Sequence, residues 1–259
     1  MLNRIFQFLL IVSSLTATLW AANDPFVGEW KLNSSKSRFP DEMKVESADA
    51  NKYIFDFVGG SPETIVVDGT DQPGMFKTTL SVTVLGPDSW KVVRKKEGRI
   101  LLTANWELSK DGNTLKDDYT EMGPNGSTSN MKYVYKRTAG QAGFAGTWES
   151  ISEQVNFVLV RKVQPYEGDG LSFINPAEEV TKSVKFDGKD YPDQGPKVAK
   201  GSVSSGRRVN ERTLELTHKI NGKTTSTEQI ELSPDLKTLT MTVHPVGKTK
   251  PDILVFERQ

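Results

Sequence analysis

The chain has 259 residues with 33 basic and 33 acidic side chains, two histidines and no cysteine. Charge is even in both halves, 16 basic and 17 acidic residues over 23–138 and 16 of each over 139–259, which excludes the basic excess that nucleic-acid binding requires. The lack of cysteine excludes disulfides, thiolate nucleophiles and cysteine metal sites, so each domain must be held by its core alone.

Residues 1–22 come first in chain order and read as a signal peptide. Arg4 supplies the positive start, Ile5 to Leu19 an apolar stretch and Leu19-Trp20-Ala21 a cleavage site, so the expectation is export to the periplasm or the medium. Gln7, Ser13, Ser14, Thr16 and Thr18 interrupt the stretch, which falls short of the roughly 20 apolar residues a bilayer core needs. No integral membrane span is expected after cleavage.

The mature chain repeats itself. Phe26-Val27-Gly28-Glu29-Trp30 opens a stretch that closes with Tyr133-Val134-Tyr135-Lys136-Arg137, and Phe144-Ala145-Gly146-Thr147-Trp148 opens another that closes with Leu254-Val255-Phe256-Glu257-Arg258. Matched positions are 118 to 124 residues apart, too far for a solenoid, whose repeats run about 20 to 50 residues. Two domains are therefore expected, 23–138 and 144–259, each near the usual single-domain size and joined by a short link from Thr138 to Gly143.

Within each copy the hydrophobic period is two. Ile100, Leu102, Ala104, Trp106 and Leu108 share one face of a strand that follows the turn at Glu97-Gly98; Leu214, Leu216, His218 and Ile220 do the same before the Asn221-Gly222 hairpin signal. About eight strands per copy emerge, with no long helix outside the signal. This predicts an all-β protein of two tandem antiparallel up-and-down barrels, which remove exposed sheet edges, with a sandwich as the alternative. Strand parity also predicts a plug at each barrel floor, Arg137 over Trp30 and Arg258 over Trp148, as cation–π pairs.

Gly28-Glu29-Trp30 and Gly146-Thr147-Trp148 at the first strands, each with a terminal-strand arginine, resemble the Gly-x-Trp signature of the lipocalin and calycin barrels. Trp30-Lys31-Leu32-Asn33-Ser34-Ser35-Lys36-Ser37-Arg38-Phe39 and Phe186-Asp187-Gly188-Lys189-Asp190-Tyr191-Pro192 are similar to segments of secreted bacterial lipocalin-like proteins of largely unassigned function. The resemblance implies a cup for a small, largely apolar molecule.

Catalytic patterns are few. No His-Glu-x-x-His, phosphate-binding glycine loop or Gly-x-Ser-x-Gly occurs, and parity turns His218 inward but His244 outward, so a metal or triad built on both is not expected; neither is a cofactor. The candidate ligand-binding residues are Trp90, Trp106, Asp117 and Tyr119 in the first cup and His218 with Met241 in the second. Three readings follow: a carrier of a small apolar molecule, a non-catalytic structural or interaction module of the envelope with filled barrels, and a cofactor-free enzyme built on Asp117 and Tyr119. Ligand identity and oligomeric state stay open.

Overall fold

The computed structural model describes residues 24–57, 62–123, 126–140, 143–156, 158–196 and 198–259; the expected signal peptide, 1–22, lies outside them. Ten strands fall in the first half: β1 (Gly28–Leu32), β2 (Glu42–Asp49), β3 (Lys52–Phe57), β4 (Glu63–Val66), β5 (Gln72–Pro73), β6 (Thr79–Gly86), β7 (Ser89–Lys96), β8 (Arg99–Leu108), β9 (Thr114–Met122) and β10 (Thr128–Ala139). The second half repeats them as β11 (Gly146–Asn156), β12 (Val160–Tyr166), β13 (Gly170–Asn175), β14 (Val180–Val184), β15 (Tyr191–Pro192), β16 (Ser202–Asn210), β17 (Thr213–Ile220), β18 (Lys223–Leu232), β19 (Thr238–Pro245) and β20 (Asp252–Arg258). The protein is all-β, built as two nearly closed antiparallel barrels of ten strands, more than the eight or so that alternation marks; one strand in each, β5 or β15, is only two residues long and too short to show alternation.

The strands do not partition as 23–138 and 144–259. One sheet runs β14-β13-β12-β1-β20-β19-β18-β17-β16-β15 and the other β4-β3-β2-β11-β10-β9-β8-β7-β6-β5. Each copy has given its first strand to the other: β1 lies between β12 and β20, and β11 lies between β2 and β10. The short link joins two strands that pair with each other. Asn130 pairs with Asn156 and Ala139 with Thr147, so β10 and β11 form one long hairpin through Gly140, whose φ of +91° a side chain would rarely adopt. The exchange gains this short closure and gives up two others, β1 with β2 and β11 with β12, so loop length alone does not select it. With its place taken, β1 fills the equivalent gap between β12 and β20.

The floor plugs follow the exchange and correct the expected pairing. Arg137 covers Trp148, its Cζ 4.2 Å from the ring centre, and Arg258 covers Trp30 at 4.0 Å. Both indoles are wholly buried and donate to a backbone oxygen four residues upstream, Trp30 to Phe26 at 2.9 Å and Trp148 to Phe144 at 3.0 Å. Each guanidinium donates to three carbonyls: Arg258 to Leu236, Val27 and Pro25, Arg137 to Gly112, Ala145 and Gly143. The glycine of Gly-x-Trp makes room for it, since a Cβ at Gly28 would lie 2.7 Å from Arg258 Nη1 and one at Gly146 2.5 Å from Arg137 Nη1.

Each barrel also carries a seam. In the β1 barrel Thr181 and Gln194 exchange backbone hydrogen bonds of 2.8 and 2.9 Å across it. In the β11 barrel the Glu63 carboxylate accepts from both Arg94 Nη atoms, at 2.9 and 2.7 Å, and from Met75 N at 2.6 Å. No helix among the described residues is long and apolar enough to cross a membrane.

Candidate functional site

The four candidates expected in one cup do come together, inside the β11 barrel, but as packed core. Trp90 stacks on Phe144 with ring centres 3.9 Å apart and meets Tyr53 edge-on at 5.0 Å, while Trp106 lies 5.9 Å from Phe55. Both tryptophans are buried in a cluster with Met43, Ile65, Leu80 and Val82. The aromatics expected to line an open cup fill it instead, with Phe144, just before β11, stacked on Trp90.

One polar island interrupts this core. Asp117, 8% exposed, faces Trp106 across β8–β9 and Tyr133 across β9–β10. Burial pushes its carboxyl up to about 7, the Trp106 indole N–H opposes this in part, and the nearby Asp41 adds to it. Neither Asp117 Oδ1 nor Trp106 Nε1 makes a well-formed hydrogen bond, so Asp117 is not at an open mouth. Tyr119, Tyr133 and Tyr135 stack beside it with successive ring centres 6.0 and 5.7 Å apart. The Tyr135 hydroxyl donates to Asp41 at 2.7 Å, and burial raises the Asp41 pKa despite that bond.

The β1 barrel differs. His218, 5% exposed, points inward as parity predicts, and His244 is exposed. His218 Nδ1 lies 2.8 Å from Ser204 Oγ and 3.3 Å from Lys182 Nζ, and Ser204 Oγ donates to Asp193 at 2.6 Å. On the other side of the ring, Nε2 is 2.9 Å from Glu228 Oε1 but not aligned with it, an electrostatic contact rather than a well-formed hydrogen bond. Burial would raise the Glu228 pKa, but His218, Lys182 and Arg161 outweigh it and hold the carboxyl at about 2. Beside this group lies a cavity of about 30 Å³, lined by Arg161, Lys182 and Glu228 and by Val163, Phe173, Val180, Leu216, Ile230, Leu239 and Met241. Met241 therefore reaches the cavity, while His218 stands behind Glu228.

Sequence reasoning missed Arg161, Lys182 and Glu228. The signal was present: Glu228 shares parity with Ile230 and Leu232, Arg161 with Val163, and Lys182 with Val184, whose side chains are buried. Among the described residues no group of three or more histidine or carboxylate side chains could hold a metal ion. Comparison with protein-family models and with curated proteins returned no match.

Proposed function

We propose that the protein is an exported lipocalin-like binding protein whose β1 barrel holds a small, largely apolar molecule. The observation that supports this reading is the cavity against Phe173, Leu216 and Met241, present in a barrel whose duplicate is filled by Trp90, Trp106 and Phe144. At about 30 Å³ it admits little more than water, so the apolar body of a ligand enters by displacing flexible side chains, of which Met241 is the most adaptable. Trp90, Trp106, Asp117 and Tyr119 take no part in this reading.

Isothermal titration of the purified protein with alkanols, terpenoids and aromatic dyes tests it. Saturable binding weakened by Met241→Trp, which fills the cavity, is the expected result. No binding by any probe would favour the second reading, a non-catalytic structural or interaction module of the cell envelope, which the filled β11 barrel supports.

A further inference from the structure

The duplication supplies an internal control for the charged group in the β1 barrel. Matching strand registers equate Arg161 with Met43, since these pair with Trp30 and Trp148, and Lys182 with Glu63, since these pair with Phe173 and Phe55. In the same way His218 corresponds to Arg94 and Glu228 to Ala104. The fold is thus satisfied in one copy by a methionine, an alanine and a closed Glu63–Arg94 ion pair of no net charge. The other copy sets two cations, Arg161 and Lys182, and a histidine against the single carboxylate of Glu228.

The cations are also under-used. No hydrogen bond or ion pair among the described residues reaches the Arg161 guanidinium, which lines the cavity and feels Glu228 and Glu178 only through space. Among the described residues Lys182 Nζ makes only the 3.3 Å contact to His218. Asp193 is engaged by Ser204, and Glu178 is exposed and bonded to Asn175. A half-buried guanidinium with five unclaimed N–H donors is matched in geometry and charge by a carboxylate, which it binds through two parallel hydrogen bonds.

We infer that the β1 barrel recognises an alkyl carboxylate, its head on Arg161 and Lys182 and its chain against Phe173, Leu216 and Met241. The inference rests on the binding function proposed above. The test is calorimetric titration with sodium hexanoate, hexanamide and inorganic phosphate, on the wild type and on Arg161→Met, which installs the residue of the other copy. Hexanoate should bind at least tenfold tighter than hexanamide, and Arg161→Met should abolish that preference while leaving hexanamide affinity unchanged. Lys182→Met, with both variants checked by thermal unfolding, serves if Arg161→Met does not fold. Equal affinity for acid and amide would overturn the carboxylate but leave the binding function standing, and phosphate binding as tightly as hexanoate would also overturn it. Binding of neither alkyl probe would overturn it too, and the apolar panel then decides the wider reading.

Discussion

Asp117 is a carboxylic acid enclosed by tryptophan and tyrosine rings, and its proton belongs to the stability of the β11 barrel. The ordinary pKa is 3.8 and burial moves it to about 7. Well below pH 3.8 the acid is neutral in both folded and unfolded chains and costs nothing through ionisation. As pH rises from there through 7 the unfolded chain gives up the proton first, and folding loses about 4 kcal/mol at about 1.4 kcal/mol per pKa unit. Asp117→Asn has no such dependence, so urea unfolding from pH 4 to 8 should show the wild type losing stability relative to the variant. Parallel curves would contradict the buried acid. Glu228 acts in the opposite sense at lower pH: held at about 2, it adds stability above its ordinary 4.5 that is lost as pH falls through 2.

At the scale of elements, the seams decide how each barrel closes. Glu63 is 5% exposed and Arg94 is its one side-chain cation among the described residues, in a fork of 2.9 and 2.7 Å. Arg94→Met should cost about 3–5 kcal/mol, because it leaves a buried carboxylate unpaired. Glu63→Met combined with Arg94→Met should cost less than the single change, since two apolar groups leave no buried charge behind. Urea midpoints of the three proteins measure this, and a double variant less stable than Arg94→Met would refute the latch. Strands of this kind were legible in the sequence because alternation reports one inward face directly, as along Leu102 to Leu108 and Leu214 to Ile220, although Ile100, expected on that face, is exposed. The latch was not, because its two partners lie 31 residues apart and a charged residue at an inward position looks like a lapse in the pattern until its mate is found.

The whole molecule turns on which copy each first strand joins. The duplication itself made the exchange invisible to sequence reasoning: β1 and β11 carry the same Gly-x-Trp, so either fits either barrel with unchanged side-chain parity, and the tryptophan meets an equivalent arginine in both arrangements. Only connectivity separates them, and the short connections from β10 to β11 and from β11 to β12 point to opposite arrangements. The candidate site was legible to the same limited degree. Parity placed His218 and Met241 inside, but it cannot tell a filled interior from an open one, since the packing of Phe144 on Trp90 depends on side-chain volumes from several strands.

The cysteine-free chain allows the exchange to be tested by a single disulfide. Glu29 sits opposite Lys162 in the β1 barrel, whereas an unexchanged chain would place Glu29 opposite Lys44, the present partner of Thr147. Directly opposed residues on antiparallel strands have Cα atoms about 4.5–5.5 Å apart, within disulfide reach. Oxidation of dilute protein carrying Glu29→Cys with Lys162→Cys should give a monomeric crosslink, mapped by peptide mass spectrometry, and Glu29→Cys with Lys44→Cys should give none. A crosslink in the second pair and not the first would contradict the strand exchange.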